Sequence, residues 1–274
     1  MAVTVFGAPA ASGSGAPIDA QYVVMASDAT LSAERVLTAG NHVTVANGGS
    51  TATIDWRYDP SKRVQLMTEC NALGDLTTLA SGTGASVVFT TAAIATANQI
   101  GICRAACGTT TTGRSGIGSA AVDGVVLGTN EVRFCTIVNI QTASDATNNF
   151  VVHCGFVDNV AGTSTDGLYF EYNHATNAGD WTAIVRNNAS TIASVDTNVA
   201  ATAGSWYKLE IIVNAAANSS EFKINGSTVY THTGTTPTGS ARATGFGSLI
   251  RKTAGTTSRN LDIDFVGFFS EVTR

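Results

Sequence analysis

The chain has 274 residues, 44% hydrophobic and only 13% charged, with a net charge of −5. Charged residues make up about a quarter of an ordinary globular chain, and here Thr, Ser, Asn, Gly and Ala take their place. Coiled coils and long helical bundles are therefore excluded, and the acidic balance argues against a face that binds a phosphate backbone.

No apolar run approaches the roughly 18 residues of a membrane helix. The start, Met-Ala-Val-Thr-Val-Phe, lacks the basic end and long apolar stretch of a signal peptide. Residues 1–17, ending in GAPAASGSGAP, read as a flexible arm, either free or ordered only against a neighbouring subunit. Residues 18–58 read as a small β module, with strands in YVVMA (22–26), ERVLTAG (34–40), HVTVANGG (42–49) and STATIDW (50–56). Asn47-Gly48 is a hairpin signal within it. A unit of about forty residues buries too little surface to stand alone, so it needs the next domain or further copies of itself.

Residues 59–274 read as one long β domain, opened by the Asp59-Pro60 break. Residues 71–130 are loop-rich, with short β-prone pieces at SVVFT (86–90) and GVVLG (124–128). The ATANQIGICRAAC stretch (95–107) fits a short helix or a paired strand equally well. TTTTGRSGIGS (109–119) offers only Ile117 to a core and is expected at the surface. Then come eight strand candidates: 131–140, 150–158, 167–173, 181–187, 205–214, 220–226, 228–233 and 259–270. Many alternate apolar with polar, and Asp166-Gly167, Asn187-Asn188, Ala203-Gly204 and Asn225-Gly226 mark turns between them. Regular spacing without intervening helices predicts an all-β antiparallel sandwich.

Five cysteines, at 70, 103, 107, 135 and 154, make an odd count in a long chain, which does not suit a disulfide framework. Cys103 and Cys107, with His153 beside Cys154, lack the second close ligand pair of a tetrahedral zinc site. Reduced structural thiols, and no metal or cofactor, are expected. Folding in a reducing cytoplasm follows from the same logic.

The run DGLYFEYN, DWTAIVRNN, SWYKLEIIVN and SEFKINGSTVYTHT, closed by LDIDFVGFF, resembles the concanavalin A-like lectin/glucanase jelly roll over residues 125–274. GFGSLIRKTAGTTSRNLDIDFVGF is similar to domains of bacteriophage virion proteins. APIDAQYVVMASDATLSAERVLTAG resembles a segment that recurs in phage tail and head appendages. These resemblances imply a jelly-roll sandwich behind a small attachment and trimerisation module, in a homotrimer docked on the particle.

Glycosidases on that fold use paired carboxylates on one strand, typically Glu-x-Asp-x-x-Glu. That motif is absent, and the nearest candidates are Glu171, Asp262 and Asp264. The two aspartates share a strand face and alternate with Leu261, Ile263 and Phe265, so they are expected on the solvated side and no catalytic residue is assigned. His42, His153, His174 and His232 are scattered, and the glycine-rich pieces 82–86 and 112–119 lack the Gly-Lys-Ser/Thr of a phosphate loop. Asp145, Asn148, Asn149, Asp158 and Asp166 are too dispersed to define a calcium site.

One loop gathers the residue types that stack and hydrogen-bond a sugar: Tyr172, Asn173, His174, Asp180 and Trp181. The alternative is that Trp181 opens a core strand and the rest is an ordinary polar hairpin loop. The expectation is thus a non-enzymatic virion surface protein, a trimeric capsid decoration (cement) protein made in the host bacterial cytoplasm. Its expected partners are copies of itself, the major capsid protein or other virion proteins, and a host surface polysaccharide, without nucleic acid or membrane insertion. A short tail fibre or receptor-binding adhesin is the alternative, and a polysaccharide-degrading glycosidase the remote one.

Overall fold

A computed structural model of the chain describes residues 63–70, 74, 76–90, 101–119 and 123–272, and the backbone of four short strands before them. The chain divides into two compact units, Met1–Ser61 and Lys62–Arg274. In the first, β1 (Tyr22–Val24) pairs in parallel with β2 (Glu34–Val36), and β3 (Val43–Asn47) pairs antiparallel with β4 (Ala52–Trp56). The arm over 1–17 and the Asn47-Gly48 turn lie outside the described residues.

The second unit begins with β5 (Arg63–Thr68), β6 (Thr77–Ser81), β7 (Ala85–Thr90), β8 (Ile102–Cys107) and β9 (Arg114–Gly118). Then come β10 (Val132–Ile140), β11 (Phe150–Val157), β12 (Gly167–Asn173), β13 (Asp180–Asn187) and β14 (Ser190–Ala200). The last are β15 (Trp206–Val213), β16 (Ser219–Ile224), β17 (Ser227–Thr233), β18 (Gly245–Lys252) and β19 (Asn260–Glu271). One sheet has eight strands in the order β17-β16-β15-β10-β19-β8-β7, with β5 also paired to β19; the other has seven, β14-β13-β12-β11-β18-β9-β6. All pairings in this unit are antiparallel, as the expected sandwich requires. Among the described residues no α-helix occurs, so none is long and apolar enough to cross a membrane.

Alternation builds the core. Leu168, Phe170 and Tyr172 of β12, Val152, Cys154 and Phe156 of β11, and Leu209, Ile211 and Val213 of β15 all point into it. Aromatic rings lock edge to face, Phe170 on Phe222 at 5.3 Å and Trp181 on Tyr207 at 5.9 Å. Hydroxyls also cross between the sheets. Ser248 of β18 donates to Thr136 of β10 at 2.8 Å, and Thr136 donates to the Phe265 carbonyl at 2.7 Å.

Four strands, β5, β6, β14 and β18, were not among the expected ones, and two further regions are decided by the fold. Residues 114–118, expected within a surface stretch, form β9 inside the seven-stranded sheet, with Ile117 wholly buried and Ser115 donating to the Ser86 carbonyl at 2.6 Å. Residues 102–107, where helix and strand were equally open, are β8, paired with β7 and β19. All five cysteines are free and buried. Burial pushes the Cys135 thiol up to about 11 and Cys154 up to about 12, which leaves both as inert hydrophobes.

Of the four predicted turns, Asn225-Gly226 forms a two-residue hairpin and Asn187-Asn188 forms one shifted by a residue to Asn188-Ala189, whereas Asp166-Gly167 ends a longer loop from β11 to β12 and Ala203-Gly204 lies in the connection from β14 to β15. Asn225 and Gly226 hold φ of 52° and 84°, the positive pair that a type I′ turn needs. Asn188 and Ala189 do the same at 52° and 63°, although alanine pays for the left-handed region. Ala189→Gly is therefore expected to stabilise the sandwich by about 0.5–1 kcal/mol, after the entropy that glycine adds to the unfolded chain. The check is a higher denaturant midpoint at unchanged m-value.

Candidate functional site

The outer face of the seven-stranded sheet carries a group of polar side chains that strand register lays out in rows. One row runs Leu249 (β18), His153 (β11), Glu171 (β12), Thr182 (β13) and Asp196 (β14). A neighbouring row runs Ser81, Arg114, Arg251, Val151 and Asn173. On the other flank, Gly118, Gly247 and Gly155 lie side by side and lead to Tyr169. All three glycines are buried, and a Cβ added at Gly118, Gly155 or Gly247 would meet backbone carbonyl oxygens at 2.3, 2.4 and 2.6 Å.

His153 is 1% exposed, and its Nε2 lies 2.9 Å from Glu171 Oε2. Its ring packs 4.7 Å from that of Tyr169, and its Nδ1 has no partner among the described residues. Burial raises the Glu171 carboxyl, but hydrogen bonds from His153 and Asn173 and the charges of His153 and Arg251 outweigh it, leaving Glu171 below the ordinary carboxylate value. Burial also raises the Tyr169 phenol, which stays protonated. Val157, Tyr169, Ile184 and Leu249 form a small apolar cluster on this face. Thr182 is buried and accepts from Asn177 at 2.8 Å, but the fixed carboxylate stands among half-buried guanidinium and amide groups and the exposed Ser81 hydroxyl, which can hydrogen-bond a hydroxylated or charged ligand.

The loop expected to bind a sugar is divided by the fold. Tyr172 is 2% exposed, its hydroxyl accepting from the Ser144 amide at 2.9 Å, and Trp181 is fully buried against Tyr172 and Tyr207. Neither ring can stack a sugar, because Trp181 opens a core strand, the alternative weighed above. His174 is exposed and Asp180 half-buried at the ends of the loop, which makes a short 3₁₀ turn over Asn177–Gly179. Asn173 alone sits beside the polar rows.

Asp262 and Asp264 are likewise not on a solvated side. Asp262 is wholly buried and receives two hydrogen bonds from Arg104, at 2.7 and 2.8 Å. A β-bulge between Ile137 and Val138 of β10 leaves Asp264 without a cross-strand partner, and inward alternation passes from Leu261 and Ile263 to Val266 and Phe268. Asp264 is 6% exposed, and its Oδ1 has no partner among the described residues. Both aspartates belong to the eight-stranded sheet and Glu171 to the outer face of the other, so the three carboxylates do not meet as acid and nucleophile. Among the described residues no group of three or more His, Cys, Asp or Glu side chains could hold a metal ion.

Burial, and then the charge of Glu69, push the Asp264 carboxyl from 3.8 up to about 6. The folded state thus holds this proton more tightly than the unfolded chain does, and the resulting stability is lost as pH rises from about 4 through 6. Asp264→Asn is expected to flatten that fall and to add about 1–2 kcal/mol at pH 8. Urea titrations of both proteins at pH 4, 6 and 8 check it.

The fold and this face define a lectin-like jelly-roll β-sandwich. Residues 98–264 match the family described as SO2946-like, C-terminal domain, and the chain belongs to that family. No curated protein matches the chain. Among solved structures, the carbohydrate recognition domain of Emp47p aligns with a TM-score of 0.51 at 13% identity, covering 79% of this chain and 100% of that one. Peanut lectin with a nine-residue peptide aligns at 0.52 and 10% identity, covering 78% and 100%. A carbohydrate esterase from the Shiga toxin-encoding bacteriophage phi24B aligns at 0.45 and 17% identity, covering 72% and 90%. At these identities the likeness establishes the fold alone.

Sequence reasoning did not single out Arg114, Tyr169 or Arg251, and it noticed His153 only as a neighbour of Cys154 and as one of four scattered histidines. The available signal was GLYFEYN itself, in which Tyr169, Glu171 and Asn173 share one strand face.

Proposed function

We propose that this chain is a non-enzymatic surface protein of a bacteriophage particle that displays a glycan-recognising sandwich. The observation that carries the recognition is the outer face of the seven-stranded sheet, where Glu171, held by His153, stands among Asn173, Thr182 and two arginines. The separation of Glu171 from Asp262 and Asp264 supports the non-enzymatic part. The virion role rests on the resemblance of the N-terminal segment and of the last strands to phage appendage proteins. In this reading the chain is a homotrimer that decorates the capsid, with the first unit attached to the major capsid protein or another virion protein. A short tail fibre would use the same face on a host polysaccharide, and the glycan-like polarity of that face favours keeping it as the second reading.

Three measurements separate these. Cryo-EM of intact particles is expected to place the chain on the shell, and density confined to the tail would transfer the assignment to the fibre. Light scattering of the full chain is expected at trimer mass, and a monomer would remove the trimer. A glycan array probed with the full chain is expected to give signals that Glu171→Gln weakens, and an array blank for the wild type would overturn recognition.

A further inference from the structure

Arg114 and Arg251 are direct cross-strand partners on β9 and β18, both half-buried on the outer face. Like charges placed opposite each other on neighbouring strands destabilise a sheet. Each of the other described arginines and lysines has an acceptor, whether carboxylate, hydroxyl or backbone carbonyl. Among the described residues these two have none, and the Arg251 Nε is buried without a partner. Glu171, the acid that acts on Arg251, is already committed to His153 at 2.9 Å. Two adjacent guanidinium groups, neither bonded to a carboxylate among the described residues, present a set of donors that matches a carboxylate, which arginine binds in bidentate fashion. Ser81 flanks the pair beside Arg114, and Asn173 ends the row beyond the buried Val151, a hydroxyl and an amide suited to sugar hydroxyls.

We infer that Arg114 and Arg251 form the anchoring subsite for the carboxylate of an acidic saccharide, an inference that rests on the glycan-recognition reading of this face. The pair supplies the charge and the flanking polar groups supply orientation. The ligand class is thereby a uronate-type chain rather than a neutral one.

The test titrates the full chain calorimetrically with three probes: an oligouronate, its carboxyl-reduced neutral counterpart, and inorganic sulfate. The oligouronate is expected to bind at least about tenfold tighter than the neutral counterpart, and the affinity to fall with salt. Arg251→Gln and Arg114→Gln are each expected to weaken it about tenfold or more, with melting temperature unchanged or higher because the like-charge contact is gone. Equal binding of oligouronate and its reduced counterpart, or oligouronate binding untouched by both substitutions, would overturn the arginine subsite and leave glycan recognition standing. Sulfate binding as tightly as the oligouronate would reduce the pair to a general anion site and overturn the saccharide. Binding of none of the three probes would overturn the subsite, and with it recognition on this face wherever the glycan array is also blank.

Discussion

Replacing Arg104 with methionine is expected to destabilise the sandwich by about 2–4 kcal/mol, more than replacing its partner Asp262 with asparagine. The asymmetry follows from burial, since the Arg104 side chain is 37% exposed and that of Asp262 is 0% exposed. The aspartate depends on two short hydrogen bonds from one guanidinium, and its charge in turn raises the arginine further above its ordinary value. Arg104→Met strands a carboxylate in the sheet. Asp262→Asn leaves a guanidinium that water can reach, at about 1–2 kcal/mol. Arg104→Met combined with Asp262→Leu should recover much of the loss. Equal costs for the two single variants, measured in urea at pH 7, would show that the pair is not buried as described.

Trp181→Ala is expected to cost about 3–5 kcal/mol, and Trp181→Phe only about 1. The indole is fully buried between Tyr172 and Tyr207, at ring distances of 6.3 and 5.9 Å, so truncation opens a cavity in the middle of the aromatic core. Its Nε1 finds no acceptor among the described residues, so phenylalanine gives up volume while also removing a costly orphaned donor. Tyr207 braces the same region, donating to the Ala200 carbonyl at 2.8 Å and accepting from the Thr202 amide at 3.0 Å. The measurement also distinguishes a core role from sugar stacking. A ring that stacked a sugar would lose binding on truncation with little change in melting temperature, whereas this one should lower the melting temperature whether or not a glycan is present.

How much of the fold can be read from the chain depends on where each strand finds its partner. β12, β13, β15, β16 and β17 pair with neighbours in sequence across short turns, and their alternation and Asn-Gly or Asn-Asn signals mark them. β14 follows β13 through such a turn yet went unrecognised, because it is an edge strand in which small and polar residues outnumber its three large apolar ones, Ile192, Val195 and Val199. β9 and β18 pair with each other across more than a hundred residues, and their glycines, Gly116, Gly118, Gly245 and Gly247, argue locally against a strand. They hold because each lies between two other strands whose backbone completes the ladder. The face they complete was hidden for the same reason. His153 and Glu171 are 18 residues apart and Arg114 and Arg251 far more, so only register brings them together.

Composition and periodicity by themselves determined an all-β antiparallel sandwich, because charge scarcity excludes coiled coils and long helical bundles and alternation needs only local sequence. The low charge also set the stage for the site, since in a chain with 15 Lys and Arg two unpaired guanidinium groups on one face stand out. What only the tertiary structure decided were the assignments that depend on a partner strand. A bulge opposite Ile137 leaves Asp264 buried without a cross-strand partner, inter-sheet packing turns Tyr172 and Trp181 from sugar platforms into core, and register gathers an imidazole, a carboxylate and two arginines on one outer face. The physical reason is that side-chain direction in a strand is local, whereas burial and neighbourhood are properties of the whole sheet.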